Sequence, residues 1–108
     1  MDDVLHALYQ AVQDRREHPQ EGSYTCYLFE KGLDKILKKC GEECSEVIIA
    51  AKNPEPEPLT EEVCDLLYHL LVLLAERNVP LSAVEDVLIR RREKIGNLKP
   101  MKTVDRES

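Results

Sequence analysis

The sequence predicts an all-α fold, a bundle of four to five helices. Three observations carry that expectation. Apolar residues recur three and four apart along almost the whole chain, no stretch alternates apolar and polar residues as a half-buried strand would, and aromatics are only 5% of the residues, with no Trp. Length sets the scale: 108 residues, 43% of them hydrophobic, supply one modest core and not two. Residues 1–96 are assigned to that domain and residues 97–108 to a polar C-terminal tail.

Each element follows from local signals. The first helix is expected from Asp2 to Glu17, with Val4, Leu5, Leu8, Tyr9 and Val12 on one face and Asp2 or Asp3 as its cap. Pro19 and Gly22 break the pattern, so His18 to Gly22 is a loop. Ser23 or Thr25 caps a short helical turn that carries Leu28 and Phe29 and pauses at Gly32. A long helix is expected from Leu33 to Lys52. The prolines at 54, 56 and 58 end it, because each removes a backbone donor and restricts the residue before it. The next helix is expected to start at Thr60, with Glu61 and Glu62 in a first turn whose dipole favours negative charge, and to run to Arg77. Ser82 to Glu85 has the pattern of a capping box for the last helix, and Gly96 marks its stop.

Fifteen Lys and Arg against twenty-one Asp and Glu leave a formal charge of −6. So acidic a chain has no general attraction for nucleic acid or an anionic membrane. A phosphorylated ligand would need local compensation, for which a divalent metal is the obvious means. The chain opens Met1-Asp2-Asp3, without the basic start and apolar stretch of a signal peptide. Its four cysteines, Cys26, Cys40, Cys44 and Cys64, are therefore read as reduced, in a cytoplasmic setting. Cys40 and Cys44 are spaced as two zinc ligands on a helix would be, but no second Cys/His pair completes a set of four. Val63 to Ala75 is apolar except for Asp65 and His69, too short to cross a bilayer. A helix apolar on nearly every face needs more cover than one small domain provides, so a homo-oligomer is expected.

On the wheel of the long helix, Leu33, Ile36, Leu37, Cys40, Cys44, Val47 and Ala51 form a core stripe, which makes the two cysteines small buried hydrophobes. Lys35, Lys39, Glu42, Glu43 and Glu46 form a second face, which Ile49 and Ala50 continue in apolar form. A solvated face does not usually turn apolar one turn on, so the glutamates are read as the wall of a site. On the next helix Glu62, Asp65 and His69 stack on one face. Asp65 interrupts the apolar run, and a buried carboxylate is costly unless paired or bound to a cation. Antiparallel packing across the short Pro-rich connection sets Glu43 and Glu46 opposite Glu62 and Asp65. Mg²⁺ or Mn²⁺ resolves the resulting repulsion, since both take oxygen ligands octahedrally and keep positions for water or phosphate.

Taken singly, these residues have plainer explanations. Glu42-Glu-x-x-Glu46 also occurs on solvated helices, Lys39 with Glu43 is an ordinary ion pair, His69 alone is a core histidine, and Glu62 alone serves its helix dipole. Two matched carboxylate pairs on adjacent helices favour the metal.

Glu42-Glu-x-x-Glu46 followed by Glu62-x-x-Asp65 also resembles the metal signature of the all-α nucleoside triphosphate pyrophosphatases, the MazG-like group. Further segments narrow the likeness: SYTCYL from Ser23 to Leu28, GLDKI from Gly32 to Ile36, KKCGEE from Lys38 to Glu43, EVIIAAK from Glu46 to Lys52 and DLLYHLLV from Asp65 to Val72. Over about residues 4–92 they are similar to the phosphoribosyl-ATP pyrophosphohydrolases of histidine biosynthesis, while the stretch from Lys94 departs from that family's ending. The resemblance implies hydrolysis of phosphoribosyl-ATP to phosphoribosyl-AMP and pyrophosphate with Mg²⁺, in a helical homodimer whose sites draw on both chains. It implies Glu43, Glu46, Glu62 and Asp65 as metal ligands, and catalytic roles for Glu43 and for Glu42, the latter as a ligand or as the group that orients water. Ser23, Thr25, Lys39 and His69 match positions on the substrate side, with Tyr68 beside them, although Tyr68 and His69 are equally explained by packing. Lys35, on the carboxylate face, offsets phosphate charge.

The chemistry agrees with the residues. Cleavage between the α and β phosphates by metal-activated water needs charge neutralisation and positioning, and no nucleophilic Ser or Cys. Two other functions stay open at this level. One is the same hydrolysis on a different nucleotide, as in a house-cleaning triphosphatase; the other is a non-catalytic helical module that docks a partner through its apolar helix.

Overall fold

The computed structural model describes residues 3–96, and the tail expected at 97–108 lies outside the described residues. Among the described residues there are five helices and no strand: α1 (Val4–Glu17), α2 (Tyr24–Lys31), α3 (Leu33–Ala51), α4 (Pro56–Glu76) and α5 (Leu81–Gly96). Asp3 caps α1, its carboxylate accepting the His6 N–H at 3.0 Å. Ser23 caps α2, its hydroxyl oxygen accepting the Cys26 N–H at 3.2 Å. Gly32 (φ 92°) separates α2 from α3, and this left-handed turn, closed to most side chains, folds α2 back along α3.

Two helix starts differ from expectation. α4 begins at Pro56 and not at Thr60, whose hydroxyl instead donates to the Pro56 carbonyl at 3.0 Å. The first turn of a helix has no partner for its N–H groups, so prolines there cost nothing and supply a pre-set φ. Glu61 and Glu62 consequently lie beyond the first turn, and the dipole no longer explains Glu62. α5 begins at Leu81, and Glu85 does not close the expected box with Ser82 but accepts from His6 Nε2 on α1 at 2.5 Å.

The α3–α4 pair makes the most extensive contact, α1 crosses α4, and α2 lies against α3 and α1. Residue numbers fall on α4 as they rise on α3: the Cys40 thiol meets the His69 carbonyl at 3.6 Å, and Glu46 reaches Glu62. The pair is therefore antiparallel. Tyr9, Val12, Leu28, Ile36, Cys40, Leu71, Val72, Ala75 and Leu81 form one core. Arg16 closes the far end of α4, donating to the Ala75 carbonyl and, at 2.8 Å, to Asn78 Oδ1.

Burial is more one-sided than the wheel predicts. Ile36 and Cys40 are buried, but Leu37, Cys44 and Ala51 of the expected core stripe are exposed on the single chain. The short α2, eight residues long, packs against the 19-residue α3, whose most extensive contact is with α4. α4 divides likewise: Leu71, Val72 and Ala75 are buried, whereas Val63, Leu67, Leu70 and Asp65 face outward. Asp65 is thus no buried interruption of the apolar run within this chain. All four cysteines are free thiols, and no described helix is long and apolar enough to cross a membrane.

Candidate active site

The α3–α4 register decides the site. One to two turns from the Cys40–His69 contact, Glu43 and Glu46 on α3 meet Glu62 on α4, each offering a carboxylate oxygen within 4.8 Å of the other two. Glu43 is 6% exposed, and its Oε2 is buried without a hydrogen-bond donor. Its other oxygen lies 3.9 Å from Lys39 Nζ. Glu62 Oε2 is also buried and undonated. These are costly positions for acceptors unless something positive occupies the space between them.

Both carboxyls are correspondingly harder to ionise. Burial first, then the charges of Glu46 and Asp65, holds the Glu43 carboxyl above the usual glutamate range, with Lys39 opposing. Glu62 is pushed up to about 7, first by sharing a proton with Glu46, then by burial and by the charges of Glu46, Asp65 and Glu43. Crowded carboxylates in this arrangement compete for one proton. Three all-oxygen donors with undonated lone pairs fit a hard divalent cation better than they fit each other. Asp65 is exposed at the margin, its charge felt by Glu43 and Glu62 although its carboxylate is outside the converging three. Glu42 is also exposed, and its charge reaches Tyr24.

An aromatic wall flanks the carboxylates. The His69 Nδ1–H donates to the Asp65 carbonyl at 2.7 Å, which leaves Nε2 to accept from the Tyr24 hydroxyl at 2.9 Å. The Thr25 and Tyr68 hydroxyls bond to each other. Tyr24 stacks on Tyr27 and Tyr68, with ring centroids 6.1 and 6.2 Å apart, and meets His69 edge-on. Burial, then the neighbouring Tyr68 and Glu43, raises the Tyr24 phenol above its ordinary value.

The fold therefore joins Glu43, Glu46 and Glu62, sets Asp65, Lys39 and His69 beside them, and leaves Glu42 at the rim. It does not bring Ser23 or Lys35 into the cluster: Ser23 caps α2, and Lys35 Nζ lies 6.0 Å from the Tyr27 ring centroid. Sequence reasoning passed over Tyr24 and Tyr27. Their spacing with Lys31, which places all three on one face of α2, was the available signal. A concavity of about 1140 Å³ opens between α2 and the loop before it, lined by Arg15, Gln20, Ser23, Tyr24 and Tyr27. It meets the site only at the two tyrosines, and the carboxylates lie outside it, on an open face.

Known proteins resemble this chain along nearly its whole length. A relative from Clostridium botulinum (strain Kyoto / Type A2) named phosphoribosyl-ATP pyrophosphatase is 56% identical over 104 residues, covering 95% of this chain and 94% of its own. One of the same name from Listeria welshimeri is 59% identical over 102 residues, covering 94% and 98%. A third, from Clostridium novyi (strain NT), is 54% identical over 98 residues, covering 91% and 89%. Residues 5–92, which include every carboxylate of the site, match the family model described as phosphoribosyl-ATP pyrophosphohydrolase, and to that family this chain belongs.

Proposed function

We propose that the protein hydrolyses phosphoribosyl-ATP to phosphoribosyl-AMP and pyrophosphate, using Mg²⁺ with Mn²⁺ as a substitute, in the cytoplasm. The relatives' shared name supports the substrate. One observation in the structure carries the chemistry: Glu43 and Glu62 each bury an oxygen with no donor, beside Glu46, in a site made only of carboxylates. Glu43, Glu46 and Glu62 are the residues that would hold the cation, with Asp65 completing the set from one turn along α4. When bound, a divalent cation neutralises phosphate charge and lowers the pKa of water. Lys39 adds positive charge on the same face of α3, and in this reading the exposed Glu42 serves as a further ligand or orients the attacking water. The Asp65–His69–Tyr24 chain of hydrogen bonds fixes the wall against which the substrate lies.

The same reading includes a homodimer. Ile49 is 71% exposed and Ile48 67% exposed next to the carboxylates, and Val63, Leu67 and Leu70 continue the apolar face on α4. A catalytic site on an open apolar face is poorly shielded from water, and a second copy covers it. The net charge of −6 gives the chain no general attraction for nucleic acid or an anionic membrane. Hydrolysis rates across phosphoribosyl-ATP and the ordinary nucleoside triphosphates test the proposal. Faster turnover of the ordinary triphosphates would convert it into the house-cleaning reading. Absence of any Mg²⁺ effect on thermal stability would instead favour a non-catalytic module, because a cation held only by the folded state must stabilise that state.

A further inference from the structure

The site described so far handles a triphosphate, which every nucleoside triphosphate possesses. Phosphoribosyl-ATP differs by a second ribose 5-phosphate at the far side of the base, so selectivity requires a second anion site at a distance from the carboxylates. The chain is acidic overall, which makes unpaired local cations informative. Around the site, most cations are already engaged: Lys39 faces Glu43, Arg15 is 3.1 Å from Asp14, and Arg16 holds Ala75 and Asn78. Lys31 and Lys35 are different. Among the described residues neither has a carboxylate within ion-pair distance, and both ammoniums converge on one ring, 5.8 and 6.0 Å from the Tyr27 centroid.

Position makes the pair useful. Because the chain reverses at Gly32, Tyr27 lies beside Lys35, and Tyr24 lies one turn closer to Glu43. A lane results, with carboxylates at one end, the stacked and half-exposed Tyr24 and Tyr27 rings in the middle, and two ammoniums at the other end. From Glu43 to Lys35 is two turns of α3, roughly 12 Å. That is comparable with the span of an adenine nucleotide carrying phosphates on both sides of its base.

Resting on the activity proposed above, we infer that Lys31 and Lys35, gathered by the Tyr27 ring, bind the 5-phosphate of the phosphoribosyl group and so set the preference for phosphoribosyl-ATP over ordinary triphosphates. Each ammonium lies at the outer range of cation–π attraction to the Tyr27 ring. A phosphate dianion then completes what the ring only partly satisfies. The adenine lies along Tyr24 and Tyr27.

Calorimetric binding of phosphoribosyl-AMP and of AMP to the Mg²⁺-loaded full chain reads this without turnover. The wild type should prefer phosphoribosyl-AMP, and the Lys31→Ala/Lys35→Ala double variant should lose at least about tenfold of that preference, as expected for removal of charge-assisted contacts. AMP affinity should stay within about twofold, a factor smaller than one such contact is worth. In kinetics, KM for phosphoribosyl-ATP should rise while kcat holds. A wild type that binds the two nucleotides equally, or a double variant that keeps its preference, overturns the inference. Equal loss for both nucleotides overturns it too, since it would show a general charge effect. Failure of the wild type to hydrolyse phosphoribosyl-ATP would remove the proposed activity, a result the binding comparison keeps separate.

Discussion

At the scale of single residues, the carboxylates differ in how the fold treats them. Asp65 is exposed in the single chain, yet its charge raises the proton affinity of both Glu43 and Glu62, so it belongs to their electrostatic field. Asp65→Asn keeps size and hydrogen-bonding capacity and removes that charge. Turnover should fall at least about a hundredfold, roughly 2.7 kcal/mol at 1.36 kcal/mol per decade, with a higher Mg²⁺ requirement in a protein whose circular dichroism is unchanged. A Mg²⁺ curve identical to wild type would remove Asp65 from the site. Glu62 gives a pH prediction. Without metal its carboxyl titrates near 7 in the folded chain against 4.5 ordinarily. Between those values the folded state binds more protons than the unfolded one, so stability falls as pH rises through that window. A cation competes with that proton. The rise in Tm caused by Mg²⁺ should therefore be larger above about pH 7 than near pH 5. A Mg²⁺ shift independent of pH would show that the raised carboxyl and the cation do not share a place.

Among the elements, α4 carries the most consequence, because it supplies Glu62 and Asp65 at one end and core residues at the other. At its C-terminal end the Ala75 carbonyl accepts the Asn78 N–H at 3.1 Å and also the Arg16 guanidinium of α1, which bonds Asn78, at φ 58°, as well. The same guanidinium lies 5.9 Å from the Phe29 ring centroid, linking three helices. Arg16→Ala should cost about 1–2 kcal/mol, the usual range for losing guanidinium hydrogen bonds to Ala75 and Asn78, since the Ala75 carbonyl keeps the Asn78 N–H at 3.1 Å. A urea midpoint equal to wild type would mean that water replaces the guanidinium without loss. Activity per folded molecule should hold, since the change is at the opposite end of α4 from the carboxylates.

For the whole molecule, the exposed apolar face has to be reconciled with a chain in aqueous solution. Ile48 and Ile49 on α3 and Val63, Leu67 and Leu70 on α4 are exposed apolar side chains. A second copy that covers them removes from water the exposed apolar area of Ile48 and Ile49, 67% and 71% exposed, and the smaller exposed area of the other three, a favourable term of about 25 cal/mol per Å². Sedimentation at micromolar concentration should show a dimer, and Leu70→Glu should shift it to monomer with loss of activity, whereas a change at the exposed Ser82 should do neither. A stable and fully active wild-type monomer would sink the proposed dimer.

The all-α class, the helical order and the two carboxylate pairs were legible in the residues, because helical period and the Glu-Glu-x-x-Glu and Glu-x-x-Asp spacings are local properties. Ser23 and Asp3 as caps were legible for the same reason, since each bonds within three residues of itself. Local signals failed where two favourable choices competed nearby. Thr60 is a good cap, yet α4 starts at Pro56, since prolines lose nothing in a first turn. The Ser82–Glu85 box is a good box, yet Glu85 turns to His6, far away in sequence. Only the tertiary structure decided which carboxylates converge, because that depends on the register of α3 on α4, set by contacts such as Cys40 with His69. It also decided that Asp65 faces outward, that Tyr24 holds His69, and that Tyr27 gathers two lysines. Helical periodicity assigns each residue to a face, but only the packing of distant side chains determines what that face meets.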